Sequence, residues 1–333
     1  MTEARGTTSS RAVLGVVFLL VLGFSYSEEI VSGFFELVGQ ADNEEWRIAL
    51  IVVDLTILAG VAALKRSIGR ADGSPPRLWR AWWLGSAIVM GADLVLLGLT
   101  DSPPVWVDVL SSTLFAAALT VLMTTSLNAD PLTLFSSSRR ARMPVDWRRV
   151  RAIVPLMVGV FACYLAATIY VDYFDVDVIR ALDPDTAAEV EQLPLTEQLA
   201  INAQLCSGAV APAYFQQIVA IIPLLLLTLG VEFNYFRRTL EDPAQRAATA
   251  ATVTLLSLAL VFALSTLPWV GQGCDEILAA WHEYLAFIVT VQGVFTGLAT
   301  LVWVLVARPP TGPTPRPDQQ PRCTNAFTNP APW

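Results

Sequence analysis

The sequence predicts an all-α polytopic membrane protein, a transmembrane helix bundle of eight spans with a small helical extracytoplasmic cap. Of the 333 residues, 54% are hydrophobic and only 15% are charged, and the mean hydropathy is +0.55. Soluble domains carry about 25% charged residues, so the chain is far too apolar for that class. The apolar residues also fall in eight separate runs along the chain.

Each apolar run is a candidate transmembrane helix. The hydrocarbon core of a bilayer is about 30 Å thick, so a spanning helix needs about 20 mostly apolar residues. The predicted spans are residues 12–27, 46–64, 81–99, 104–125, 152–173, 215–235, 248–269 and 284–307, which make residues 1–307 one membrane domain. The first span is the shortest and has an alternative interpretation as a cleaved signal peptide, because Arg11 precedes a short apolar core.

The positive charges predict the orientation of the bundle, because cytoplasmic segments retain Arg and Lys. With the N-terminus inside, 19 of the 21 basic residues fall in cytoplasmic segments, and only Arg47 and Arg180 fall outside. The acids show the opposite distribution, with 18 of 29 in the outer segments. We therefore expect both termini in the cytoplasm. Abundant arginine and alanine beside a single lysine are typical of a high-G+C bacterial genome and favour a bacterial plasma membrane.

Two segments outside the spans have distinct compositions. The outer segments 174–214 and 270–283 are predicted to form the cap, and Thr186 followed by Glu189 fits a helix capping box. Residues 308–333 include eight prolines, which predicts a disordered cytoplasmic tail.

Several function classes are excluded by single residue counts. The only lysine, Lys65, is in no Walker motif, and the only histidine, His282, cannot form a multi-histidine metal site. We expect no metal, no cofactor and no nucleic-acid partner. The loop from Arg139 to Arg151 contains six arginines, which either set the topology or bind anionic lipid headgroups.

Two aspartates lie well inside predicted spans and decide the functional argument. Asp54 is near the centre of the second span, and Asp93 is a few residues outward of the centre of the third. A charged aspartate at mid-bilayer costs about 2.5–3.5 kcal/mol on the insertion scale, and no Arg or Lys lies in a span core to neutralise it. Protonation, a bound cation, water, or donors such as Tyr164 and Gln292 must therefore satisfy these carboxylates.

Three interpretations of the function follow from these aspartates. We place first a membrane scaffold, sensor or accessory subunit, in which both aspartates are structural and a membrane-protein partner or a second copy is expected. The alternative is a proton- or cation-linked transporter or channel that uses Asp54 and Asp93, fed by the acidic outer segments. The third is an intramembrane enzyme such as an aspartyl protease. Helix packing is easier to predict, because Gly293 and Gly297 form a G-x-x-x-G motif on the last span.

The cysteines allow a prediction that separates the two sides of the membrane. Cys206 and Cys274 both fall in outer loops, where an oxidising compartment favours a disulfide, and the chain has no C-x-x-C redox motif. Cys163 lies within a span and Cys323 in the tail. Denatured but unreduced protein should therefore react at two of its four cysteines with a maleimide-polyethylene glycol reagent, and reduced protein at all four.

A Cys206→Ser variant should expose a third reactive thiol without reduction, because its former partner becomes free. Cys163→Ser is the matched control and should leave one reactive thiol. Four reactive thiols in the unreduced wild-type protein would contradict the predicted disulfide.

Overall fold

The computed structural model describes residues 2–38, 45–72, 75–98, 105–174, 192–197, 210, 212–236, 242–267 and 277–306. Within these ranges the chain is helical and has no strand, which confirms the predicted all-α class. The proline-rich segment 308–333, Cys206 and Cys274, and most of the predicted cap lie outside the described residues, so those predictions stay predictions.

Ten α-helices lie within the described ranges. They are α1 (Thr2–Phe18), α2 (Ser27–Leu37), α3 (Glu45–Asp72), α4 (Pro76–Gly98), α5 (Val105–Ser126), α6 (Ser137–Arg142), α7 (Pro144–Phe174), α8 (Pro212–Phe236), α9 (Pro243–Thr266) and α10 (Ile277–Val306). A π-helical turn, Leu19–Gly23, and a 3-10 turn, Phe24–Tyr26, join α1 to α2. A second 3-10 turn, Pro131–Leu134, precedes α6.

Seven segments are long and apolar enough to cross a membrane. They are Ser10–Phe35, Glu45–Arg70, Val109–Ser126, Pro144–Tyr170, Ala213–Glu232, Pro243–Thr266 and Trp281–Val306. The protein is thus an all-helical, multi-pass membrane protein in contact with the lipid bilayer. The third predicted span, α4, is not among these seven segments of the described residues.

The first and last spans differ from their predicted limits. The first was predicted to end at residue 27, but the helical path continues to Leu37 because Ile30, Val31 and Phe34 extend the apolar pattern past a pair of glutamates. At the other end of the chain, residues 277–283 were predicted as part of the cap, yet they form the first turns of α10. In both cases the helical segment extends beyond the predicted limit of the span.

The centre of the bundle consists of α7, α9 and α10, whose backbones approach closely at small residues. A Cβ added to Gly159 of α7 would lie 1.8 Å from Thr296 Oγ1 and 2.9 Å from the Gln292 carbonyl oxygen on α10. A Cβ on Gly293 would lie 2.9 Å from the Ala259 Cβ of α9. Gly297, one turn further along, faces Leu256 of α9 and Leu225 of α8.

The remaining helices pack around this centre and divide its core in two. One buried cluster lies among α1, α3, α4, α5 and the first halves of α7 and α9, with Leu20, Leu119 and Leu156 fully buried. The other lies among α8, α10 and the second halves of α7 and α9, around Phe215 and Ile222. Helix α3 lies at the periphery and leaves much of its apolar surface exposed.

One end of the bundle, which we call the basic end, carries the residues from Lys65 to Arg80 together with the loop from Leu127 to Arg151. There the chain turns away from the end of α5 at Asn128, whose φ of 54° is left-handed. The Ala129 amide donates to the Thr124 carbonyl oxygen at 2.9 Å. This is a Schellman C-terminus, which Asn tolerates better than other non-glycine residues.

Cationic side chains also donate hydrogen bonds to carbonyl groups at this terminus. Lys65, which is fully buried, donates to the Thr125 carbonyl oxygen. Arg149 donates to the Leu127 carbonyl oxygen at 3.0 Å and pairs with Asp242 at 3.3 Å. Positive charge at a helix C-terminus also complements the helix dipole. The only lysine of the chain is therefore a structural residue.

The loop that follows is held by its own arginines. Arg139 pairs with Asp130 at 2.9 Å. Arg140 donates to the Thr133 carbonyl oxygen at 2.9 Å, and its guanidinium lies 4.5 Å from the centre of the Trp147 ring. These contacts order the segment that was predicted to bind anionic lipid, a prediction that stays open.

The close approach at Gly159 gives a prediction about stability. Gly159→Ala should lower the free energy of unfolding by about 1–3 kcal/mol, because α7 and α10 must separate to admit the methyl group. Gly91→Ala is a matched control, since no atom lies within 4 Å of a Cβ at that glycine. The control should change stability by less than about 1 kcal/mol, in the stabilising direction given by helix propensity.

Thermal unfolding of the purified protein in detergent, followed by intrinsic fluorescence, measures both variants. Equal unfolding midpoints for Gly159→Ala and Gly91→Ala would contradict the proposed role of the α7–α10 contact.

Candidate functional site

A polar segment lies inside the first membrane-spanning helix, directly after its π-turn. The Phe24 amide donates to the Leu19 carbonyl oxygen, five residues back, and the Ser25 hydroxyl donates to the Leu20 carbonyl oxygen at 3.4 Å. Single π-turns inside α-helices are frequent at functional sites. Here the turn precedes five polar residues, 25–29, within an otherwise apolar span.

Tyr26 of this segment points into the bundle and reaches α10 and α7. Its hydroxyl donates to Gln292 Oε1, and its side chain also lies within hydrogen-bonding reach of Cys163. The Gln292 side chain is fully buried, and its Nε2 has no hydrogen-bond partner among the described residues. Gln292 also packs its backbone on Gly159, so the close contact of α7 with α10 positions this amide.

Glu28 and Glu29 follow at the start of α2. The Tyr284 hydroxyl of α10 donates to Glu29 Oε1 at 3.3 Å, and the Tyr284 ring lies 5.0 Å from that of Tyr170 on α7. Glu28 is exposed on the helix surface, but its carboxylate interacts electrostatically with Glu29 and with Asp54. Two adjacent carboxylates thus lie within the first span.

Asp54 of α3 is the most enclosed of the acids in this region. Only 3% of its surface is exposed, and it lies within hydrogen-bonding reach of Ser27. Its Oδ1 atom is buried and has no hydrogen-bond partner among the described residues. An unsatisfied buried carboxylate oxygen is costly, so its retention suggests a role other than packing.

Asp93 of α4 is on the third helix of the same region. It is half-buried and interacts electrostatically with Asp54 and Glu28. Its Oδ2 atom is buried without a hydrogen-bond partner in the described part of the chain. Tyr164 of α7 interacts with both Asp93 and Glu29, and its ring stacks on Phe115 with centroids 5.3 Å apart.

These four acids, Glu28, Glu29, Asp54 and Asp93, form what we call the acid cluster. Among the residues that the structure describes, no Arg, Lys or His pairs with any of them. Nor do three or more His, Cys, Asp or Glu side chains in the described ranges lie close enough together to hold one metal ion. The cluster can therefore bind and release protons, but its geometry does not form a metal cage.

The acids lie at different depths along their helices. With a rise of 1.5 Å per residue, Asp93 lies about 8 Å from the end of α4, and Glu29 about 9 Å from Phe35 at the end of the first span. Asp54 lies about 14 Å from Glu45, where the second span begins. The cluster thus extends from near the helix ends, at Glu29 and Asp93, towards the middle of α3 at Asp54.

All four candidates from the sequence lie in or beside this region. Asp54 and Asp93 interact electrostatically, Tyr164 interacts electrostatically with Asp93, and Gln292 is linked to the cluster through Tyr26. Sequence analysis missed Tyr26, Glu28, Glu29 and Tyr284. The apolar run after Glu29 was the available signal, since it extends the first span past both glutamates.

Comparison with protein-family models, with curated proteins and with solved structures finds no match.

The bond between Tyr26 and Gln292 can be tested by a double-mutant cycle. Tyr26→Phe should lower the free energy of unfolding by about 1–3 kcal/mol, because it leaves the buried Gln292 amide without its donor. In a Gln292→Leu background the same change should cost less, since no polar group is then left unsatisfied.

Thermal unfolding in detergent gives all four corners of this cycle. Tyr214→Phe is a comparison variant, because it breaks a half-buried hydrogen bond of 2.9 Å to Thr290 elsewhere on α10. A coupling energy near zero between Tyr26 and Gln292 would contradict the interaction.

Proposed function

We propose that the protein is a proton-linked membrane transporter in which the acid cluster takes up and releases the coupling proton. The observation that carries the proposal is Asp54, a carboxylate that is 3% exposed and lies near three other acids. In the part of the chain that the structure describes, one of its oxygens has no partner and no cationic side chain pairs with it. Acids inside membrane helices are expensive and mark proton relays and ion pathways. Carboxylates that share one low-dielectric region also favour protonation of at least one of them.

Ser27 is the polar neighbour of Asp54. Its hydroxyl donates to the Phe24 carbonyl oxygen at 3.1 Å, and it also lies within hydrogen-bonding reach of the Asp54 carboxyl group. A hydroxyl has one proton, so it donates either to the Phe24 carbonyl oxygen or to the Asp54 carboxylate. Donation to Asp54 would favour the charged carboxylate, so the rotation of Ser27 would follow the protonation of Asp54.

The depth of the acids supports a direction for proton entry. Glu29 and Asp93 lie nearer the ends of their helices, while Asp54 is deeper, so a proton would reach Asp54 through the shallower carboxylates. In the proposed topology of eight spans, with α4 as the third and both termini in the cytoplasm, this entry opens on the extracytoplasmic side of a bacterial plasma membrane.

The proposed topology also includes the cap and its disulfide. The Val210 amide donates to the Glu283 carboxylate at 2.6 Å, which joins the segment that follows Cys206 to the helix that follows Cys274. This contact supports the predicted cystine bridge, because it brings the two segments together on the same side of the bundle.

The scaffold, sensor or accessory-subunit interpretation uses the same residues differently. In that case the cluster would not move protons across the membrane. A partner protein would bind the bundle, and in a sensor this binding would depend on the protonation of the cluster. In the intramembrane enzyme interpretation, such as an aspartyl protease, Asp54 and Asp93 would be the catalytic pair.

Proton flux across liposomes tests the transport proposal. The full chain is reconstituted with a pH-sensitive dye inside, a pH gradient is imposed, and valinomycin with potassium removes the membrane potential. We expect wild-type protein to dissipate the gradient faster than empty liposomes. Asp54→Asn should lose most of this flux, and Asp93→Asn should lower it, because an amide cannot carry the proton.

Glu45→Gln is the matched control, since Glu45 is an exposed acid at the start of the same helix as Asp54. Its flux should equal that of the wild type. An unchanged flux in Asp54→Asn would overturn the role of the acid cluster. Absence of wild-type flux with protons, sodium and potassium would overturn transport and favour the scaffold or sensor interpretation.

A further inference from the structure

A cavity at the basic end lies between α3 and α4 and is separate from the acid cluster. It has a volume of about 430 Å³ and is lined by Arg66, Gly69, Arg70, Trp79 and Trp83. Small-molecule pockets have volumes of about 300–1,000 Å³, so the space is large enough for a phosphate headgroup. We call it the arginine cavity.

The two arginines of this cavity are available to a ligand. Arg66 and Arg70 are four residues apart on α3 and therefore project from the same face of the helix. Both are exposed, and neither has an ion-pair or hydrogen-bond partner among the residues that the structure describes. Paired guanidinium groups match the geometry of a phosphate, because each can donate two parallel hydrogen bonds.

Further positive charge lies directly behind the cavity. The buried Lys65 ammonium group is 4.9 Å from the centre of the Trp79 ring, which itself lines the cavity. Lys65 is held there by the Thr125 carbonyl oxygen and by burial, so its position is fixed. None of the described residues that line the cavity carries a carboxylate. The arrangement therefore favours an anion.

The aromatic wall indicates that the anion belongs to a lipid. Trp79 and Trp83 are four residues apart on α4, and Trp83 is 62% exposed, while the neighbouring Trp82 is buried and donates to Ser126 at 3.0 Å. The apolar run of α3 ends at Leu64, and both tryptophans line the cavity with Arg66 and Arg70 just beyond that point, so they lie at the boundary of the apolar region. Tryptophan prefers the headgroup level of a bilayer.

We propose that the arginine cavity binds the phosphate of an anionic phospholipid headgroup, with Arg66 and Arg70 as donors and Trp79 and Trp83 as the wall against the upper acyl chain. Basic pockets between spanning helices suit such headgroups, because the charge and the apolar wall are matched to the two parts of one molecule. This inference does not depend on the proposed transport.

The location differs from the loop in which the sequence predicted lipid binding. In that loop, Arg139 and Arg140 are engaged by Asp130 and by backbone carbonyl groups. Among the described residues, Arg66 and Arg70 have no ion-pair or hydrogen-bond partner, so all their N–H groups are available to a ligand.

Native mass spectrometry of the full chain in detergent tests the proposal. The protein is titrated with phosphatidylglycerol and with phosphatidylcholine of the same chain length, and the bound fraction is measured. We expect phosphatidylglycerol to bind more tightly. Arg66→Gln with Arg70→Gln should weaken its binding by about tenfold or more, because one charge-assisted hydrogen bond corresponds to about that factor. Binding of phosphatidylcholine should change little.

Two further variants separate a specific site from general attraction. Arg77→Gln with Arg80→Gln removes the same charge from exposed positions of α4 that do not line the cavity, and should change the affinity by less than about twofold. Arg66→Lys with Arg70→Lys keeps the charge but not the paired donors, and should give an intermediate affinity.

Three outcomes would overturn the proposal. Equal loss in the two glutamine pairs would mean diffuse electrostatic attraction. Unchanged phosphatidylglycerol binding in the Arg66→Gln, Arg70→Gln variant would mean that the lipid binds elsewhere. Inorganic phosphate that binds as tightly as phosphatidylglycerol and displaces it would assign the cavity to a free anion instead of a lipid.

Discussion

The approach of α7 to α10 at Gly159 is the contact on which the rest of the structure depends. With no Cβ at that position, the α7 backbone lies directly against Thr296 and the Gln292 carbonyl oxygen. In a lipid environment helices associate through close packing rather than through water exclusion, so such a contact has a large effect. It also fixes the Gln292 side chain, which holds Tyr26 and thereby the start of α2. Packing at the centre of the bundle therefore determines the position of the polar side chains in the first span.

The acid cluster lies beside the centre of the bundle. Its four members come from α2, α3 and α4, while the central helices α7 and α10 supply uncharged tyrosine, glutamine and cysteine side chains. The acids are thus on the peripheral helices, and their uncharged polar neighbours are on the central ones. The basic end is built differently, because Lys65 and Arg149 are fixed on backbone carbonyl groups and stabilise the terminus of α5.

The sequence predicted the helical class and most span positions, because apolar length is a local property of the chain. It also selected Asp54 and Asp93, since an acid far from any span boundary stands out by position alone. It failed at Glu28 and Glu29, which looked like the end of a span because two adjacent charges usually mark the interface. Contacts such as Tyr26 with Gln292, separated by 266 positions, depend on helix arrangement and had no signal in the chain. The cavity formed by Arg66 and Trp83 was likewise not apparent from the arginine count.

The π-turn at Leu19–Gly23 has a geometric consequence for the first span. Successive residues of an α-helix are separated by an angle of about 100°, so one additional residue within a turn changes the phase of everything that follows by that amount. Before the turn, Val13, Val16 and Val17 face the apolar core; after it, Tyr26 faces inward. The π-turn therefore sets the direction of the side chains after it separately from that of the side chains before it. A chain shortened by one residue in this turn would keep its hydropathy but point Tyr26 in a different direction.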